Sequence, residues 1–291
     1  MRLVTQTDLI ANRIGDAECV RMLARAGFDA IDWSFFEMTD GQGVWCTDGW
    51  QEHAQALRAA ADEAGVGFSQ AHAPFPSSSG TLPFDEVIVQ RIVRSMEVAS
   101  ILGVKNIVVH PKQHLYYPKY RQQLFDENVA FYKELMPHAQ RLNLTICTEN
   151  MWQRDVNRNY IIDSVCAPPD EFCALIDAVD DPHLAACLDV GHSALTGWDI
   201  PEFIRALGPR LQALHIHDVN YVRDCHTLPY QESLPWEDIM AALGQAGYAG
   251  DFTFEANNFL RNLPVELLEP ACAFMARTGR YLMSRIEAHR A

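Results

Sequence analysis

Residues 184–192 read Leu-Ala-Ala-Cys-Leu-Asp-Val-Gly-His. A short apolar run ends in a carboxylate, Asp189, and an imidazole, His192, follows three residues later. A run of this length bounded by polar residues reads as a buried strand of a parallel sheet. The same arrangement recurs on either side of it. Upstream, Thr145–Thr148 leads into Glu149 (ICTEN), Asn106–Val109 into His110 (IVVHP) and Phe68–Ala71 into His72 (SQAHAP). Downstream, Leu211–His215 ends in His215 itself, with His217 just beyond (ALHIHD), and Asp251–Phe254 leads into Glu255 (FTFEAN). Ala185–Leu188, the run inside the opening stretch, joins these; Leu3–Thr5 and Ala30–Trp33 bring the strand candidates to eight.

Between the strands lie stretches of helical period. They are Asp16–Ala26, Trp50–Ala64, Asp85–Leu102, Glu127–Leu142, Pro169–Val179, Ile200–Leu207, Trp236–Ala246 and Glu266–Ala288. Alternating strands and helices are the rhythm of a parallel sheet with crossover helices. Gly27, Gly65, Gly103 and Gly247 stand between a helix and the next strand. Glycine ends a helix there by adopting positive φ without steric cost. Eight such units in 291 residues favour an α/β fold with a single (β/α)8 TIM barrel, one domain over residues 1–291. The first βα turn carries no G-x-G-x-x-G, so a dinucleotide fold lacks its fingerprint. In a parallel barrel the C-terminal strand ends share one face, where active sites form. The polar residues above all fall at those ends.

The formal net charge is -15. An acidic chain repels polyanions, and no long Lys/Arg run offers a phosphate-binding face. A nucleic-acid partner is not expected; a neutral small molecule is. The eight cysteines are scattered without a C-x-x-C pair. They read as small buried hydrophobes in a reducing compartment. Met1–Val4 leads straight into polar residues rather than a signal peptide, and no apolar run approaches the ~20 residues that span a membrane. The expectation is a cytoplasmic protein.

Histidine, aspartate and glutamate all ligate divalent cations, and a mixed set suits Mn, Co, Fe, Zn or Mg. Any one of them, His110 for example, reads equally well as a hydrogen-bonded strand-end residue. Six consecutive strands ending this way change the weighting. Carboxylates buried together at one mouth must be paired or bind a cation. Trp33, Phe35, Phe36, Phe75 and Trp152 fall near the same mouth. They suit either the C–H faces of a sugar or a rim and dimer contact.

The order of TEN, LDVGH, LHIHD, a D-x-H step at Asp224–His226, LPW and FE resembles the xylose isomerase-like superfamily, from about Leu3 to Glu266. That group includes ketose 3-epimerases, hydroxypyruvate isomerases, inosose dehydratases and apurinic-site endonucleases. The resemblance implies a divalent metal ion held by Glu149, Asp189, His215 and Glu255, with Glu149 and Glu255 also the catalytic acid/base pair. The family pattern H-x-x-D assigns the ligand to His215 rather than His217. His72, His110, His192, His217, Asp224, His226, Trp33 and Trp152 are then the substrate-binding candidates. The activity implied is isomerisation or epimerisation of a ketose or related hydroxy-carbonyl sugar through an enediolate; a homodimer fits the family. In the nuclease branch a similar D-x-H step, with equivalents of His72, His110 and His192, holds additional metal. An endonuclease-like phosphodiesterase is therefore the alternative, and a dehydratase a further one. The sequence departs from its relatives at Leu228–Ser233, where a glycine-rich loop is common. Arg223 is a candidate for an arginine that some epimerases place after the metal histidine. No Gly-rich or Arg-rich phosphate loop is visible, which leans toward an unphosphorylated substrate.

Overall fold

A computed structural model describes residues 1–290. The chain runs β1 (Leu3–Gln6), α1 (Asp8–Ile14), α2 (Asp16–Ala26), β2 (Ala30–Ser34), α3 (Trp50–Ala64), β3 (Gly67–His72), α4 (Leu82–Leu102), β4 (Asn106–Val108), α5 (Tyr117–Leu142) and β5 (Thr145–Glu149). It continues β6 (Trp152–Arg154), β7 (Ile161–Asp163), α6 (Pro169–Val179), β8 (Leu184–Asp189), α7 (Val190–Leu195), α8 (Ile200–Leu207), β9 (Leu211–His215), α9 (Trp236–Gln245), β10 (Phe252–Phe254) and α10 (Leu268–Ala288).

Eight strands form one parallel sheet in the order β10-β1-β2-β3-β4-β5-β8-β9. Ile216, next after β9, closes it: its N–H donates to Thr253 O at 2.9 Å and its carbonyl accepts from Glu255 N–H at 3.1 Å. The result is a (β/α)8 TIM barrel. All eight expected strands are present, with ends shifted by a residue or two. Gly27, Gly65 and Gly103 end α2, α3 and α4 in the left-handed region, which explains their recurrence.

Three features depart from the sequence reading. The helix expected at Glu127–Leu142 begins at Tyr117, with Pro118 in its first turn and a kink at Tyr120 (φ -119, ψ 23). The kink breaks the period, so the apolar repeat becomes legible only beyond it. Short helices α1 and α7 follow β1 and β8 directly, and six or seven residues are too few to show a period. The antiparallel hairpin β6–β7 stands apart from the barrel sheet, its strands three residues each.

Most of the apolar core lies between sheet and helices. The barrel interior holds a separate, smaller cluster: Val108, Cys147, Ala185, Cys187 and Ala213. Small side chains fill a narrow lumen and leave it packed rather than hollow. Burial pushes the Cys147 and Cys187 thiols up, away from reactivity. No helix among the described residues is long and apolar enough to cross a membrane.

Candidate active site

Glu149 ends β5, Asp189 ends β8, His215 ends β9, and Glu255 follows β10. The barrel register puts these ends side by side. Glu149 pairs with Cys187 across β5–β8, and Asp189 with His215 across β8–β9. One ligand atom from each of the four lies within 4.8 Å of every other. His215 Nδ1 is 3.1 Å from Glu149 Oε2, 3.3 Å from Glu255 Oε2 and 3.9 Å from Asp189 Oδ2. Glu149 and Glu255 thus approach one imidazole nitrogen from strands on either side of β8 and β9.

Surrounding side chains hold this set in place. Asp189 caps α7 by accepting the His192 N–H at 2.6 Å, and its oxygens take His217 Nε2 at 3.0 and 2.9 Å. Asn150 bridges β5 to β8 by donating to Asp189 O and accepting its N–H. Gly191 is required by close approach: a Cβ there would lie 2.1 Å from His217 Cε1. Below the cluster, Asp32 accepts from Gln70 Nε2 at 3.1 Å and pairs with His72 Nδ1 at 3.0 Å. That bond turns His72 Nε2 toward Glu255 Oε1, 3.4 Å away.

The donor set fits a divalent cation. Both Glu149 oxygens and His215 Nδ1 are buried without a hydrogen-bond partner. His110 Nε2 and His192 Nδ1 stand 3.1 Å from the Glu149 carboxylate. The His192 nitrogen is already directed at Asn150 O, 2.9 Å away, and neither approach has hydrogen-bond alignment. Orphaned carboxylate oxygens at such depth are costly unless a cation takes them. Three carboxylates and one imidazole suit the hard and borderline divalent metals. Burial works to raise the Glu149 carboxyl, but the His215 and His110 imidazoles outweigh it and hold it well below the usual range. Burial likewise opposes ionisation of Glu255, and His215 and His72 reverse it. Both carboxyls are therefore held as carboxylates, able to ligate or to take a proton.

A cavity of about 500 Å3 opens above the cluster, lined by Glu149 and Glu255 and by His110, Trp152, His192, Asp224 and His226. Trp152 Nε1 donates to Asp224 Oδ2 at 3.1 Å, and His226 Nε2 is 3.0 Å from the same oxygen. Burial pulls the His226 imidazole down, yet the Asp224 carboxylate overrides it and pushes it up to about 10. Two expected substrate contacts lie beneath the cavity wall. His72 and His217 are both fully buried, His217 stacked on His226 with ring centroids 4.0 Å apart. Trp33 is a correction: strand alternation turns it outward from β2, where it packs edge-on against Trp45 and Phe68. Phe35 packs on Trp45 in the same cluster, and Phe36, Phe75 and Trp152 supply the aromatic wall instead. Arg223 and the Gln231–Glu232 part of the divergent loop line a neighbouring hollow rather than this cavity.

Sequence reasoning missed Asp8 and Asp32. Asp8, in the first turn of α1, lines the cavity; burial and the Glu255 charge raise its carboxyl. Asp32 sits inside the apolar run of β2, fully buried. A carboxylate within a strand is a readable signal, but Asp32 lies inside the run rather than at its end, where the other polar residues cluster.

The family model for the xylose isomerase-like TIM barrel matches residues 20–277. The crystal structure of a D-tagatose 3-epimerase-like protein superposes with a TM-score of 0.76 at 18% identity, covering 99% of each chain. A D-psicose 3-epimerase crystallised in the presence of D-fructose gives 0.74 at 15% identity, covering 97% of this chain and 99% of its own. At such identities the likeness speaks to the fold. A probable endonuclease 4 of Metamycoplasma arthritidis (strain 158L3-1) is 26% identical over 134 residues, 45% of this chain and 44% of its own. The chain spans between 44% and 62% of the length of the curated relatives it matches.

Proposed function

The chain belongs to the xylose isomerase-like TIM barrel family, and from that premise we propose that it is a divalent-metal-dependent isomerase or epimerase of a ketose or related hydroxy-carbonyl sugar. The observation that carries this reading is the convergence of Glu149 and Glu255 on one imidazole nitrogen, at 3.1 and 3.3 Å, in a buried cluster below an aromatic-lined cavity. A divalent cation held by Glu149, Asp189, His215 and Glu255 would supply Lewis-acid polarisation of two adjacent substrate oxygens. Glu149 or Glu255 takes the proton α to the carbonyl, and the other returns one. Return to the opposite face of the same carbon inverts it; return to the neighbouring carbon interconverts ketose and aldose. Expulsion of a β-hydroxyl after the same abstraction would give dehydration. Phe36, Phe75 and Trp152 offer apolar walls to the sugar's C–H faces, while His192 and His226 offer polar contacts. The test is metal-dependent exchange of the α-proton of free ketoses into deuterated water, followed by NMR. A metal-loaded protein that exchanges no such proton, and converts no ketose, would remove the proposal.

One observation favours a second reading. His192, His217, Asp224 and His226 each offer a ligand atom within 4.8 Å of the others, a second set beside the first. With the endonuclease 4 relative, this fits a multi-metal phosphodiester hydrolase. Metal content of the purified protein separates the two: three tightly held zinc ions support hydrolysis, a single exchangeable ion the isomerase.

A further inference from the structure

We propose that the substrate carries an anionic group, phosphate or carboxylate, at the end remote from its carbonyl, and that Arg154 and Arg261 receive it. This rests on the isomerase or epimerase reading of the same site. The chain has 38 acidic residues against 23 Lys and Arg, yet two guanidiniums line this one cavity. Arg154 ends β6, on the hairpin beyond β5; Arg261 comes from the segment after β10. The other charged side chains of the wall are the carboxylates Asp8, Glu149, Asp224 and Glu255 and the imidazoles His110, His192 and His226.

Neither arginine has a salt-bridge partner among the described residues, which is also true of Arg13, Arg91, Arg158, Arg205, Arg223 and Arg277; of these eight only Arg154 and Arg261 line this cavity. Neutral groups anchor them instead. Arg154 Nη1 donates to Asn159 O and Oδ1 at 3.3 and 3.4 Å, and Arg261 Nε to Asn258 Oδ1 at 2.6 Å. Each fork is thereby positioned with N–H groups still free, and a free guanidinium fork matches phosphate and carboxylate oxygens.

The cavity is therefore polar end to end. Both arginines are exposed at the mouth, while Glu149 and Glu255 are buried at the base. A divalent cation among the base carboxylates would engage the carbonyl end of the substrate, and arginines at the mouth attract an anion at the other end, so charge also sets which way the substrate enters. A volume of about 500 Å3 accommodates a sugar with such a group. The sequence leaned toward an unphosphorylated substrate because no contiguous Arg-rich loop exists; here the two arginines come from distant segments.

The experiment is titration calorimetry on the Mn2+-loaded protein with D-fructose, D-fructose 6-phosphate, D-fructuronate and a short abasic DNA duplex, on wild type and on the R154Q/R261Q variant. Wild type should bind at least one anionic sugar about ten-fold or more tighter than D-fructose, and the double variant should lose that advantage. The stronger probe identifies the anion. Three results overturn the proposal: no preference for either anion (including no binding by any probe), a preference that survives in a double variant whose circular dichroism shows it folded, or an Arg-dependent affinity confined to a short abasic DNA duplex. Arg-dependent preference without α-proton exchange would leave this inference standing and remove the isomerase reading.

Discussion

Replacing Gly191 with alanine would drive a methyl group into the imidazole of His217. The added Cβ would lie 2.1 Å from Cε1, 2.7 Å from Nε2 and 2.9 Å from Nδ1, well inside the 3.4 Å where ordinary contact begins. Gly191 lies within α7, so alanine costs nothing in backbone conformation and the effect is steric. His217 has little room to retreat. It is fully buried, and its ring stacks on His226 at 4.0 Å with planes 7° apart. Either the ring moves and gives up Asp189, or α7 lifts and weakens the 2.6 Å bond from His192 N–H to Asp189. Overpacking costs about 1–3 kcal/mol, and a lost hydrogen bond to a charged group about 1.5–3 kcal/mol. Both arise from one displacement, so their combined effect is about 3 kcal/mol rather than the sum. That is a large share of the ~5–15 kcal/mol that separates folded from unfolded chains. Urea denaturation of the metal-free protein should show the loss as a lower midpoint at unchanged slope. Mn2+ titration should show affinity about 10–100-fold weaker, because Asp189 loses its orienting partner. In a His217→Ala background the same glycine substitution should cost almost nothing. A Gly191→Ala protein within about 0.5 kcal/mol of wild type, with Mn2+ affinity intact, would refute the reasoning.

Glu149→Gln keeps the shape and removes the base; ketose turnover should fall by about 10²–10⁴-fold, and activity within two- or three-fold of wild type would end its assignment. Asp32→Asn turns one of the two oxygens that face Gln70 and His72, at 3.1 and 3.0 Å, into a donor, so one of those bonds is lost and the charge with it; urea denaturation should register a loss on the order of 2 kcal/mol. At the surface, hydrogen bonds from Arg280 hold the Asp29 carboxyl below its ordinary value. A depressed carboxyl stabilises fully above the ordinary carboxylate range and loses that contribution as pH falls through its folded value. The difference in thermal midpoint between wild type and Asp29→Asn should therefore be constant near neutrality and close in acid, remaining small throughout because the pair is exposed.

The fold was legible because hydrophobic period and strand length are local properties. Eight apolar runs of strand length separated by helical stretches leave few closed parallel architectures, and polar residues at six strand ends marked the face that matters. Strand-end position marked Glu149, Asp189, His215 and Glu255 together with His72, His110 and His192; the resemblance to the xylose isomerase-like superfamily, not position, singled out the four as a metal set. Local pattern says which end of a strand a residue occupies; it says little about which neighbours lie behind or across.

That remainder belonged to the tertiary structure. Strand alternation in β2 turned Asp32, which the sequence reading passed over, inward and Trp33, a substrate-binding candidate, outward. The sheet register decided that Glu149 and Glu255, 106 positions apart, meet at one nitrogen of His215. Nothing in LDVGH shows why position 191 is glycine; His217 packs where a side chain there would be. Arg154 and Arg261 are isolated cations in the sequence, and only chain closure brings both to one mouth. The amino-acid order determined the elements and the face on which the chemistry sits, since those follow from local period and polarity. Which side chains share a cavity was decided by packing between distant segments, where distances are set by the barrel rather than by separation along the chain.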